Sequence, residues 1–550
     1  MFPTKVKSKR VTQACDFCHR RGLKCKVGPQ TFPCLTCLEY GQECTRKRQP
    51  KKRGTKPRGG RKEAPPSGFQ ASAPGTSGPP LGTTLARNAA PALADRRTIT
   101  LLLDVYLDSI HPNFPLFCER ELWVGWRDGS FPHHDSDFMS LMCLCALSAQ
   151  HVGDGALFND NIDAPQRKSL RESYIAEATG LVPVDLEKSD LSLVRSYTLL
   201  ALLGAQTGNN AMLHKYLGLC HGVCAQLNML DESRWPAAIS DCEREVRRRL
   251  WWSIYRLEVH TACVLGNIIR SPESRCGVDY PKGAHHPAFI PGRNGQYEDW
   301  FIGWNTTTDL YRILEHAISD LRTKHSPGRP ILGRQAGSDP AAIMTRLAQI
   351  QEHLLPQFVT PASRSDDSGR NRCGFQAPNI ICTIYLARLL SFMSSKGDPL
   401  LACGVAGELI ASIKTIPHEY IRATGSPLIQ QVAGVGHVLV GIAKKHQLPP
   451  DHYVQVQNVT HSIIDLLGVF TGQSTIASAA RGRLNVLLTE VEELYASKPK
   501  MTAEIDGSSA DGMFHWMPHE AFHLTSPMGE HAVFPNGPLT DFTWLYPAFP

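Results

Sequence analysis

The 550-residue sequence contains no uninterrupted apolar run of about 18 residues, so no segment reads as membrane-spanning. No apolar stretch comes after the basic N-terminus MFPTKVKSKR, so no secretory signal is expected there. Both absences point to a reducing compartment, where cysteines serve metals or apolar cores rather than disulfides. Alternating strand patterns are sparse, and no sustained a/d heptads follow the N-terminal region. The last 50 residues hold no Lys or Arg at all.

The charge that is present is unevenly placed. Residues 1–62 carry 18 Lys and Arg against 3 Asp and Glu, while the rest of the chain carries 40 against 48. A basic head on a mildly acidic body suits a head that meets a polyanion, although a charge run alone reads equally well as a solvated tail. The cysteines of the same segment tip that balance.

Six of them, Cys15, Cys18, Cys25, Cys34, Cys37 and Cys44, have the spacing C-x2-C-x6-C-x8-C-x2-C-x6-C. A shift of 19 residues superposes the first three on the last three, and it also superposes Gly22 on Gly41. Each half reads as a short helix closed by a glycine. A C-x2-C pair lets two thiolates grip one ion from a single turn. Six thiolates fill two tetrahedral sites only if two sulfurs are shared. Two Zn(II) and six thiolates then leave a charge of −2, which the surrounding lysines and arginines offset. Disulfides lack the secretory context, and the C-x6-C gaps do not match iron–sulfur spacings.

This segment, over about residues 12–48, resembles the fungal binuclear zinc cluster, Zn(II)2Cys(6), of a large group of fungal transcription factors. All six ligand positions match, and Pro33 stands in the loop between the halves, where the family usually has a proline. The resemblance implies two zinc ions with Cys15 and Cys34 as bridging ligands. It also implies that the first helix enters the major groove of double-stranded DNA and that basic residues after the second cysteine read a G/C triplet, usually CGG. The usual pattern has two adjacent basic residues at the positions held here by Arg21 and Gly22. Arg21 can still grip a guanine, a contact worth roughly 1–3 kcal/mol of discrimination. Gly22 cannot reach a base, so either the triplet preference is altered or relaxed, or Arg20 or Arg21 compensates and CGG is still read. His19, Arg20 and Lys24 are left for phosphates or shared readout.

After Cys44 the run TRKRQPKKRGTKPRGGRK is too rich in Gly and Pro for a helix. Its Arg46, Lys47, Arg48, Lys51, Lys52 and Arg53 are candidate DNA contacts, and the run also reads as a nuclear localisation signal. Residues 63–95, rich in Ala, Pro, Gly and Ser, read as a flexible linker. Without a coiled coil, the chain is expected either to bind as a monomer or to form a homodimer through its large domain.

From residue 96 to about 498 the periodicity is helical, as in DFMSLMCLCALSAQHVG, LSLVRSYTLLALLGAQTG and TIASAARGRLNVLLTEVEELYAS. One all-α domain, or two split near the polar stretch 361–374, is expected. Three stretches resemble the fungal transcription factor regulatory domain, the middle homology region. They are LLLDVYLDSIHPNFPLF, then LHKYLGLCHGVC with AQLNMLDES, then EREVRRRLWWSIYRLEVHTACVLGNIIRSPESRCGVDYP. In the last of these, Glu243 to Arg249, Trp251 with Trp252, Gly266 and Pro281 carry the likeness. Trp251, Trp252 and Tyr255, at helical spacing, are expected in the core, and Arg247, Arg248 and Arg249 in a surface or ion-paired turn. The resemblance implies regulation, by a small effector or an intramolecular contact.

The last 50 residues carry six Asp or Glu and eight aromatics, twice the aromatic share of the whole chain. Acidic residues interleaved with aromatics suit an activation segment that docks on a coactivator, densest at FTWLYPAF; the alternative is packing on the helical domain. HEAFH, His519 to His523, comes after Pro518 in a polar tail without a third ligand and is a chance match to the zinc protease motif. GVGHVLVG does not come after a strand, and the eleven cysteines outside the cluster read as small buried hydrophobes. No catalytic constellation remains.

The sequence thus predicts an all-α protein. Its parts are a basic arm (1–11), a zinc cluster of two short helices (12–48), a linker (49–95), a helical regulatory domain (96–498) and an acidic-aromatic tail (499–550). The expected role is a nuclear transcription factor of RNA polymerase II genes, most simply an activator of one pathway, catabolic or secondary-metabolic. The alternative is a zinc-cluster repressor or accessory regulator that needs a partner for specificity. Neither reading includes an enzyme or a membrane partner.

Overall fold

The computed structural model describes residues 14–20, 25–26, 33–39, 43–46, 96–132, 134–155, 164–183, 189–282, 300–325, 339–394, 399–445, 448–470 and 474–496. The described residues divide into two compact units, one on each side of the Thr100–Leu101 boundary. The described residues are helical, with no named strand; one isolated bridge pairs Asp231 with Gly277.

The first unit contains two five-residue helices, α1 (Asp16–Arg20) and α2 (Leu35–Glu39). Cys15 and Cys34 immediately precede these helices, and Cys18 and Cys37 lie inside them at corresponding positions, so the 19-residue repeat in sequence is a repeat in structure. Gly22, Gly41 and the linker 63–95 lie outside the described residues.

α3 (Arg96–Val105) leads through a π-helical turn (Tyr106–Ile110) into the body. Next come α4 (Glu119–Asp128), α5 (Asp135–Gly153), α6 (Ala164–Gly180), α7 (Leu191–Thr207), α8 (Asn210–Gln226) and α9 (Asp241–Leu265). The remainder comprises α10 (Trp300–His325), α11 (Pro340–His353), α12 (Ser368–Ser394), α13 (Pro399–Lys414), α14 (His418–Thr424), α15 (Ser426–Lys445), α16 (Pro450–Gly468) and α17 (Thr475–Ala496). Local chemistry sets many of the boundaries. The Asp190 carboxylate accepts from Leu193 N–H at 2.8 Å and starts α7. Ser240 Oγ accepts from Glu243 N–H at 3.1 Å and starts α9. Gly266, at φ 72°, closes α9 in the left-handed region that glycine enters without strain.

α5 and α7 are buried almost all round, which explains why their sequences are apolar on every face. They pack on one another and on α6 and α8, while α10 lies along α12 and α15 lies against α16 and α17. The polar stretch 361–374 does not divide the body, because hydrogen bonds join residues on its N-terminal side to residues on its C-terminal side. Asn113 Nδ2 donates to Phe375 O at 2.9 Å, Gln376 Nε2 donates to Pro112 O at 2.8 Å, and Ser426 Oγ donates to Gln206 O at 2.6 Å.

Among the described residues, two helices, within 368–394 and 426–444, are long and apolar enough to cross a membrane by length and composition, unlike the expectation from uninterrupted runs. Of their most apolar windows, 78% and 94% are buried inside the protein, so this apolar length serves the core.

Candidate metal centre and helical brace

All six cysteines of the repeat are described, and five of them are buried; Cys44 is half-buried. Their sulfurs face one another rather than an apolar core. Cys15 Sγ lies 3.8 Å from Cys34 Sγ and 3.4 Å from Cys37 Sγ, and Cys18 Sγ lies 3.6 Å from Cys34 Sγ. A tetrahedral zinc site with bonds of about 2.3 Å has sulfur–sulfur edges of about 3.8 Å. The sulfurs of Cys15, Cys18, Cys34 and Cys37 all lie within 4.8 Å of one another, so this donor set fits zinc.

Two cysteines act as hubs. The Cys15 sulfur accepts from Cys18 N–H at 3.4 Å and also contacts the thiols of Cys18, Cys37 and Cys44. The Cys34 sulfur accepts from Cys37 N–H at 3.3 Å and also contacts the thiols of Cys37, Cys18 and Cys25. Each hub therefore touches both halves of the repeat. Thr45 Oγ1 donates to Asp16 Oδ2 at 2.9 Å, and Asp16 N–H donates to Thr45 O at 2.8 Å, tying the end of the segment to α1.

Such crowding has an electrostatic cost without cations. Burial and neighbouring sulfurs push the Cys18 and Cys37 thiols up. At Cys15 burial also raises the thiol, but the Cys18 N–H and the surrounding thiols outweigh it and bring it down to about 6. Divalent ions supply the compensation that would let all the sulfurs ionise, so metal binding and folding are coupled here.

The candidate DNA contacts are only partly described. His19 on α1 and Arg46 after Cys44 are exposed, and Arg20 is described in its backbone. Arg21, Gly22, Lys24, Lys47, Arg48, Lys51, Lys52 and Arg53 lie outside the described residues, as do the tail 499–550 and HEAFH.

In the body, the segment 243–281 forms a brace. Trp251, Trp252 and Tyr255 are 2%, 3% and 1% exposed. Arg247, Arg248 and Arg249 do not lie on the surface: all three are buried in α9. Arg248 bonds both oxygens of Glu232, at 2.7 and 2.8 Å, and Glu245 at 2.9 Å. Glu232 also accepts from Asp279 N–H and Glu245 from Lys282 N–H, while Trp252 Nε1 donates to Asp279 O. Glu258 accepts from the N–H groups of Arg270 and Ser271. The motif thus uses its charges to fasten the chain 267–282 back onto α9.

One thiol grouping carries no spacing signal because its members are far apart in sequence. Cys118, which caps α4, Cys242, in the first turn of α9, and Glu121 bring two sulfurs and a carboxylate within 4.8 Å of one another. The Cys242 thiol donates towards Cys118, and this bond above all brings Cys118 down to about 7 despite its burial. A cleft of about 710 Å³ adjoins them. Cys118 and Cys242 therefore differ from the expected small hydrophobes, a description that fits the fully buried Cys143, Cys145 and Cys382.

Comparison with known families agrees with both units. Residues 13–54 match the fungal Zn(2)-Cys(6) binuclear cluster domain, which holds two zinc ions, and residues 103–285 match the fungal specific transcription factor domain. No curated protein matches the chain. The chain carries, in this order, the two domains of a Zn(2)-Cys(6) fungal transcription factor.

Proposed function

We propose that the chain is a nuclear, sequence-specific activator of RNA polymerase II genes whose six N-terminal cysteines hold two zinc ions. Cys15, Cys18, Cys25 and Cys34 ligate one ion; Cys34, Cys37, Cys44 and Cys15 ligate the other. The observation that carries the reading is the pair of hub sulfurs: Cys15 lies beside Cys18, Cys34, Cys37 and Cys44, and Cys34 beside Cys15, Cys18, Cys25 and Cys37. The cluster domain spans 12–48 and presents α1 to the major groove. Arg21 contacts a guanine, while His19, Arg20, Lys24 and the basic run from Arg46 to Arg53 steady the duplex through phosphates. The helical domain, 96–498, regulates, and the acidic-aromatic tail, 499–550, docks on a coactivator.

Site selection from random DNA with the zinc-loaded full chain tests this. Enrichment of a G/C-rich triplet supports the reading, and salt-sensitive binding without enrichment contradicts sequence-specific recognition. Arg21→Ala is expected to relax base preference by roughly 1–3 kcal/mol at one position. A change confined to overall affinity and salt slope would make Arg21 a phosphate contact. Residues 499–550 fused to a neutral DNA-binding domain are expected to raise a reporter; a silent or lowered reporter contradicts the activator assignment.

A further inference from the structure

α9 buries a second kind of arginine. Arg256 is 2% exposed, yet its Nε and Nη1 have no hydrogen-bond partner among the described residues. The rings of Phe114, Trp304 and Tyr311 surround the guanidinium, with centroids 5.7, 5.2 and 5.5 Å from Cζ. Burial pushes its pKa down to about 10, which still leaves it charged at neutral pH.

The side chain borders a cavity of about 60 Å³ within the helical unit, framed by the π-helical turn, α5, α7, α9, α10, α12, α14 and α15. The described lining contains no Asp, Glu or Lys. His151 and His260, also in the lining, are each brought down to about 4 by burial and are neutral at pH 7. Arg256 is therefore the one charge in this described lining. Two further orphans share it: Asn113 Oδ1 and His151 Nδ1 are buried without partners among the described residues. Leu147, Leu202, Leu257 and Leu428 supply apolar wall.

A buried charge lacking a counter-ion is strongly unfavourable, and orphan polar atoms in a native interior call for a missing partner. Aromatic faces offset part of that cost but accept no N–H bond in the guanidinium plane. At roughly 10–15 Å³ per water-sized probe, the cavity has room for about four to six small heavy atoms. We infer that this cavity binds a small aliphatic carboxylate, whose oxygens accept from Arg256 and whose short chain lies against the leucines. The arginine fork matches two carboxylate oxygens, and the small volume excludes larger anions. The effector role of such a ligand rests on the regulatory reading of this domain; the binding itself does not.

Thermal unfolding of the full zinc-loaded chain tests the binding without involving DNA. The probes are sodium formate, acetate, propionate and butyrate, with sodium chloride at matched ionic strength and butyramide as controls. The expected result is a saturable rise of roughly 2–4 °C in the helical transition, reached by about 10 mM of the best-fitting carboxylate and absent with chloride or butyramide. Arg256→Met is expected to abolish the rise and, having no buried partner to orphan, to unfold at a higher temperature than the parent without carboxylate. Ala423→Leu keeps the arginine but fills the cavity, so it is expected to lose the rise as well; it also serves if Arg256→Met does not fold. Two results would overturn the inference: no saturable rise with any of the four carboxylates, which leaves water as the occupant, or a rise that survives both substitutions. A confirmed rise with no effect of carboxylate on DNA binding would keep the site and remove only its effector role.

Discussion

The two units solve the same problem, charge taken out of water, by opposite means. The head gathers six sulfurs that repel one another once ionised, and it has little apolar material beyond Phe17 to hold them together. Its order depends on ions that are separate from the chain. The body buries its own charges and, Arg256 apart, each buried charge of the brace faces an opposite charge or a backbone partner, as Arg248 does between Glu232 and Glu245. A cluster of one charge sign needs a metal, whereas a mixed network closes by itself. Hence metal removal should disable the head and spare the body, and substitutions in the brace should do the reverse.

The largest expected effect is on the head. Cys15→Ala, or zinc chelation, removes a shared sulfur or both ions, and specific DNA affinity should fall at least about 1000-fold towards nonspecific binding. The helical unfolding transition should keep its midpoint, which calorimetry of the same samples would show. A folded, sequence-specific Cys15→Ala protein would break the comparison.

Next comes Arg248→Met in the brace. Glu232 and Glu245 would lose their buried partner, and the body should be destabilised by about 3–5 kcal/mol in denaturant titration, with the zinc content unchanged. A smaller loss is expected where packing rather than charge is tight. An added methyl at Gly303 would collide with the Phe358 ring and Gln376, so Gly303→Ala should cost about 1–3 kcal/mol.

Acid sharpens the contrast in the body. His151 and His260 titrate near 4 when folded, below the ordinary histidine value of about 6.5. Below that ordinary value the unfolded chain takes up protons that the native core refuses. Their contribution is therefore complete above pH 6.5 and is lost as pH falls towards 4. Stability measured from pH 7 to pH 4 should decline, and His260→Gln should flatten the decline.

The smallest effect is local. Cys118 should be alkylated with a rate that rises through about pH 7, ahead of the buried Cys143 and Cys145, whose thiols burial pushes up. Cys242→Ala removes the donor and should shift that rise to higher pH, as peptide mapping of the alkylated protein would show.

The two units also differ in how far the sequence discloses them. In the head, ligand spacing is local, so Cys15 to Cys44 could be found by counting, and the 19-residue repeat predicted the paired helices. In the body, one-dimensional reading found α5, α7, α9 and α17 because the apolar pattern of a helix is local in the chain. It also placed Trp251, Trp252 and Tyr255 in the core. It expected Arg247 to Arg249 in a surface or ion-paired turn; Arg247 and Arg248 are ion-paired, but all three are buried in α9, because Glu232, Asp279 and Phe117 come from distant chain to cover them. The Cys118–Cys242 pair and the cavity at Arg256 were invisible for the same reason: several separate elements must fold together before either exists.

The metal count bears most directly on the difference between head and body. Native mass spectrometry of the full chain, then alkylation under native conditions, would give zinc ions per chain and the cysteines they protect. Two ions are expected, with protection of Cys15, Cys18, Cys25, Cys34, Cys37 and Cys44. One ion, with only Cys15, Cys18, Cys34 and Cys37 protected, would contradict the shared-sulfur cluster.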